Sequence, residues 1–202
     1  MNTFISWFLI PALTLIVSGP RDWFTSNFSL VGSVFPQNMI LLFWAVLIGG
    51  FYHTFIKRTI GQTARFLNTG TELVMTDISV CLLVTAVFLP YQPEIHPLLS
   101  YLHLAMALSS TVLFFLAVTV VDLKLYVLSP DLFSLPTGLL VLAIFTSFCL
   151  LILCDFLITS ALELFLTLFS CAWLRIFDRR VRIFARKRHM ITRIRDTGHK
   201  KL

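Results

Sequence analysis

An apolar run of about 43 residues joins Leu135 to Phe177 without a glycine or proline after Gly138. As a single helix it would reach roughly 64 Å, twice the hydrocarbon thickness of a bilayer. It therefore reads as two membrane spans. The break is best placed near Cys154 to Thr159, where Asp155 is the only charge and a tight hairpin would leave it at the surface.

Once one stretch is read that way, the rest follows the same rule. With 57% hydrophobic and 13% charged residues, the 202-residue chain lies far from the balance of a globular domain, where about a quarter of residues are charged. Further spans are expected over Phe4 to Val17, with Pro11 inside it, over Met39 to Ile56, over Leu73 to Leu89, and over Leu98 to Val121, extendable to Leu128. Proline and glycine punctuate the connections: Gly19 to Asn38, the Pro90 to Pro97 linker, and the stretch between Pro130 and Pro136. No Lys or Arg precedes Phe4, so the charged start of a secretory signal is missing. The expected fold is an all-α, polytopic membrane bundle of six transmembrane helices. Residues 1–177 would form the bundle and residues 178–202 a basic tail.

The tail sets the orientation. Leu174 to Leu202 holds about eleven of the sixteen Lys and Arg residues, and such clusters are retained on the cytoplasmic side. Six spans then put both termini inside, together with the Lys57, Arg58 and Arg65 loop, and leave the Pro90 to Pro97 linker outside. Five spans would place Lys57 to Arg65 outside, against the rule. Because the net charge of +6 is concentrated in a juxtamembrane tail, anionic lipid of the inner leaflet is the expected partner and nucleic acid is not. Arg179, Arg180, Arg182, Arg186, Lys187 and Arg188 are the candidate contacts. Phe177, Val181, Phe184, Ile191 and Ile194 recur at helical intervals among them, which suits a surface helix lying on lipid as well as it suits a plain topology-setting tail. The setting is a plasma (cytoplasmic) membrane or an endomembrane.

Ionisable groups inside spans cost free energy and are functional candidates by default. Asp77 lies about five residues, roughly 7.5 Å, past Glu72 into the third span, and His53 or Lys57 could neutralise it. Asp122 lies at similar depth. Toward the other side, His103 and Glu163 sit at matched depth on different spans, where they could pair or flank a small polar cavity. In each case a satisfied hydrogen bond between helices competes with a proton or ligand site. Cys81, Cys149, Cys154 and Cys171 all fall in apolar runs without a CxxC pair, which argues against a disulfide framework or a metal site. No HExxH, GxSxG or P-loop occurs, and no cofactor is implied.

The segment NFSLVGSVFPQNMILLFW, with Ser29, Gly32 and Pro36 ahead of a span, and the segment PLLSYLHLAMALSSTVLFF around His103 carry a resemblance. Together they resemble the six-span family that includes the autophagy modulator DRAM, the yeast Sfk protein and the GPI-remodelling PGAP proteins, and bacterial six-span families of the same layout. Gln37 stands where that family often has Glu. The resemblance implies a lipid-associated, regulatory or remodelling role. Three functions follow as expectations: a non-enzymatic bundle that binds lipid, a membrane-protein partner or a second copy of itself; a proton-coupled carrier using Asp77 and Glu163; and a membrane enzyme acting on lipid headgroups through His103 and Glu163.

Overall fold

The computed structural model describes residues 4–19, 22–31, 37–63, 66–155 and 157–199, with side chains at all of these except 31, 37–38 and 189–199. Among them every regular element is helical. A π-helical turn, Ile5–Leu9, runs into α1 (Ile10–Ser18); then come the short α2 (Phe28–Val31), α3 (Gln37–Thr63), α4 (Gly70–Phe88), α5 (Pro97–Leu128), α6 (Pro130–Leu153) and α7 (Ser160–His199). Five of these, α3 to α7, are long and apolar enough to cross a membrane; the Ile5–Ser18 segment is apolar and shorter.

Sequence chemistry explains the boundaries. Pro11 has no N–H and its ring crowds the preceding turn, and the π-helical turn lies directly ahead of it, where a wider turn relieves that clash. Pro97 and Pro130 occupy first helical positions, where a missing N–H costs nothing. The long apolar run does break where expected: α6 ends at Leu153, Asp155 takes a left-handed backbone conformation (φ 51°) and is exposed, and α7 begins at Ser160. The loop expected between Pro130 and Pro136 does not form. Ser129 alone joins α5 to α6, and Pro136 lies inside α6, where its carbonyl accepts a hydrogen bond from Trp173 Nε1 at 2.8 Å.

Successive helices α3 to α7 pack side by side, α7 closes back on α3, and α1 lies against α3 and α7. At the centre α3, α5 and α7 meet around a small void lined only by side chains such as Phe55, Val118, Val121 and Phe177. Tyr52 stacks on Phe114 with ring centroids 4.5 Å apart, and Trp173 stacks on Phe177 at 4.7 Å. Gly49 lets α3 approach α4, since a Cβ there would meet Val80 Cγ1 at 3.3 Å; Gly50 faces open space. Two polar ties hold the Ile5–Ser18 segment: Trp44 Nε1 donates to Thr14 Oγ1 in α1 at 2.9 Å, and Arg175 Nε donates to Ser6 Oγ in the π-helical turn at 2.8 Å.

The bundle has two unlike ends. Gly19, α2, the α4–α5 linker and the α6–α7 hairpin form one end, the loop face. At the other end, the tail face, Phe66 and Phe133 meet Phe184 edge to face at 5.9 Å each. This revises the reading of the tail. Helix α7 runs unbroken to His199, and Phe177, Val181 and Phe184 are buried in the bundle at 3%, 0% and 3% exposure instead of resting on lipid. The bundle core thus extends past residue 177. We expect Phe184→Ala to lower the stability of the purified protein by about 3 kcal/mol, as for other buried aromatic truncations. Lys187→Ala, at an exposed position three residues on, should leave it unchanged. Equilibrium unfolding in detergent checks both.

Candidate functional site at the loop face

The site is built on one backbone problem. Proline closes α4 at its C-terminal side: Pro90 stands four residues after Ala86, so the Ala86 carbonyl has no N–H donor at the helical spacing and accepts instead from Leu89 N–H, three residues on, at 3.0 Å, while Leu89 itself is extended and its carbonyl lies beyond the helix. His103, on the neighbouring α5, brings a further donor to both carbonyls. Its Nδ1 lies 2.7 Å from the Ala86 oxygen and 3.0 Å from the Leu89 oxygen. Carbonyl oxygens only accept, so in the neutral ring the proton sits on Nδ1 and Nε2 carries the lone pair. Ser29 Oγ, on α2, lies 2.6 Å from that Nε2 and donates to it. The ring of His103 is 3% exposed and flanked by Tyr91 at 5.4 Å; Ser29 is half-buried.

The loop that delivers Ser29 is held from the opposite side by the start of α7. The first N–H groups of a helix have no partner within it. In α7 two of them reach into the loop: Ser160 N–H donates to the Ser26 carbonyl at 2.7 Å and Ala161 N–H to that of Trp23 at 2.9 Å. In α2 the same need is met by side chains. Asn27 Oδ1 accepts from Leu30 N–H at 2.7 Å, and Glu163 Oε2, from α7, accepts from Phe28 N–H at 2.7 Å. Phe28 itself is 2% exposed and sits edge to face on Trp44, 5.4 Å between centroids. The direct His103–Glu163 pair weighed in the sequence therefore does not form. The two residues grip consecutive positions of the same short helix, Glu163 through the Phe28 backbone and His103 through the Ser29 hydroxyl. Gly32 and Pro36 lie outside the described residues.

The acidic groups nearer the tail face form separate clusters. Asp77 Oδ1 lies 3.0 Å from His53 Nδ1 and Asp77 Oδ2 3.4 Å from Lys57 Nζ, so both partners weighed for it are present, on a half-exposed flank of α3 and α4. Glu72 pairs with Lys124, which also donates to the Asn68 carbonyl at 2.9 Å. Asp178 pairs with Arg182 at 2.7 Å and accepts from Thr59 at 3.4 Å. Asp122 is fully buried, and neither of its carboxyl oxygens meets hydrogen-bond geometry. Lys124, Asp178 and Thr59 were not singled out from the sequence. Only Asp178 had a signal, its spacing of four from Arg182 on one helix.

Of the tail cations, Arg179, Arg186, Lys187 and Arg188 are exposed and Arg180 and Arg182 half-buried; Arg188 sits over the Phe184 ring at 5.4 Å. No protein-family model, curated protein or solved structure matches the chain.

The Glu163 contact can be isolated. Glu163→Ala orphans the Phe28 N–H, a loss of about 1–3 kcal/mol for a buried donor, and should raise amide exchange across Phe28 to Leu30. Glu163→Gln keeps an acceptor oxygen and should leave exchange close to wild type. Hydrogen exchange resolved by mass spectrometry distinguishes the two.

Proposed function

We propose that the protein is a six-span membrane protein, both termini cytoplasmic, that binds membrane lipid at its loop face and holds the inner leaflet with its tail. The observation that supports it best is the clamp on α2. His103 from α5 and Glu163 from α7 hold a polar, half-buried Ser29 at the level where a lipid headgroup meets its chains. His103 lies roughly 9 Å down α5 from Pro97, close to the depth of about 5–8 Å that the polar layer occupies on each side of the hydrocarbon.

Charge supports the orientation. Among the described residues the loop-face connections carry Asp22, Glu94 and Asp155 and no Lys or Arg. Lys57, Arg58 and the tail cations all belong to the opposite end, which by the positive-inside tendency is cytoplasmic. Counted from Ser160, about 20 residues of α7 cross the hydrocarbon, so Arg179, Arg180 and Arg182 fall at its inner boundary and Arg186, Lys187 and Arg188 just beyond, among headgroups. Ile5–Ser18 supplies the sixth span.

The carrier reading finds no matching arrangement. Asp77 lies nine positions before Ala86 on α4, roughly 13 Å from the His103 contacts, and shares no cluster with Glu163.

Native mass spectrometry of the purified protein tests the reading. The wild type should retain phospholipid, with an anionic preference that falls when Arg179, Arg186 and Lys187 are changed together to Gln. At about 1 kcal/mol per cation near the surface, the loss is about 3 kcal/mol. A chain that retains no lipid, or retains it with the same preference after those changes, removes the proposal.

A further inference from the structure

The clamp at the loop face has the form of a nucleophile with its base. We propose that Ser29 and His103 are catalytic residues for acyl transfer from a carboxylic ester of a membrane lipid, an inference that rests on the lipid-binding reading above. The two carbonyls of Ala86 and Leu89 fix the proton on His103 Nδ1 and aim Nε2 at the Ser29 hydroxyl, 2.6 Å away. That distance is within the range over which a general base takes a hydroxyl proton. In a triad a carboxylate performs this orienting task; here neutral carbonyls do, so the imidazole gains direction without the added charge.

Three further features suit this chemistry. Ser29 is half-buried while its base is 3% exposed, so the hydroxyl is the reachable member of the pair. Leu30 and Leu102, adjoining Ser29 and His103 in the chain, and Leu99, one helical turn before His103, are 40%, 41% and 37% exposed and offer apolar surface for an acyl chain. The pair lies at the depth of the ester carbonyls of glycerolipids, between the polar layer and the chains. Glu163 is a positioning residue, since it acts on Ser29 only through the Phe28 backbone.

The reaction closes on itself. Ser29 Oγ attacks the ester carbonyl carbon as its proton passes to Nε2; the bond to the alcohol oxygen breaks, and the departing alcohol takes that proton. The acyl group now forms an ester with Ser29. Water then attacks the same carbon, gives a proton to Nε2, and the acid leaves as Oγ recovers it. One ester and one water give one acid and one alcohol.

The test uses the full chain in detergent and a long-chain alkyl fluorophosphonate, which forms an Oγ–phosphorus bond and releases fluoride. Denaturing mass spectrometry should show one covalent adduct per chain, mapped to the peptide holding Ser29 and absent from Ser29→Ala. His103→Gln, which keeps hydrogen-bonding groups but no base, should slow labelling by at least about a hundredfold. A folded wild type that stays unlabelled, or a label that survives in Ser29→Ala, overturns the proposal. Lipid retained under native conditions by an unlabelled wild type would leave the binding reading intact. Labelling without any retained lipid would do the reverse, upholding the nucleophile and removing the binding reading.

Discussion

The hydrocarbon interior offers no water to a stranded polar group, and this single condition explains most of the polar contacts in the structure. Pro90 leaves the Ala86 carbonyl with the Leu89 N–H, three residues on, and the Leu89 carbonyl lies beyond the end of α4, so both remain open to a further donor. In a soluble protein water could meet that need at little cost. Here a histidine on the next helix does, and meeting it fixes the ring's tautomer and direction. The second nitrogen is then committed to whatever the loop brings. A backbone interruption that looks like simple punctuation thus selects the neutral tautomer and the direction of the His103 ring.

The same condition works through the helix termini. The first N–H groups of α7 reach the Trp23 and Ser26 carbonyls, and Glu163 turns back to cap α2. Because α7 also carries Leu174, Phe177, Val181 and Phe184 into the core, the element that closes the loop face is the one that organises the tail face. Loop and tail are two ends of one rigid rod. Its length, 40 residues, is about twice what the bilayer needs, and the excess carries the cations.

Much of the architecture was legible in the sequence because it depends on lengths and breaks. The hairpin at Asp155 could be read from helix length against bilayer thickness, and the pairing of Asp77 with His53 and Lys57 from depth alone. Rotation was not legible. Depth placed His103 and Glu163 level with each other, but which faces meet depends on how each helix is turned, and α2 came between them. The tail misled for a related reason. Phe177, Val181 and Phe184 have the same spacing whether they face lipid or the bundle, and only the presence of Phe66 and Phe133 at that end decides between the two. Pro136 shows a third limit, since a proline within the first turns of a helix is indistinguishable in sequence from one that ends a loop.

The polar groups at the two ends differ in what their neighbours leave free, and this is why the loop face carries the functional reading. Asp77, Glu72 and Asp178 each face a cation, so their charge is largely spent on holding helices together. Exchanging such pairs for well-packed apolar side chains would change the stability of the bundle more than its chemistry. At the loop face, among the described residues, no salt bridge involves His103 or Ser29, and their hydrogen bonds run to carbonyls and to each other. The Nε2 lone pair is matched only by a hydroxyl, the one partner in the cluster that can also act as a nucleophile. A site that is stable at rest, yet holds a base against a reachable hydroxyl, has the means to react when an ester is presented to it.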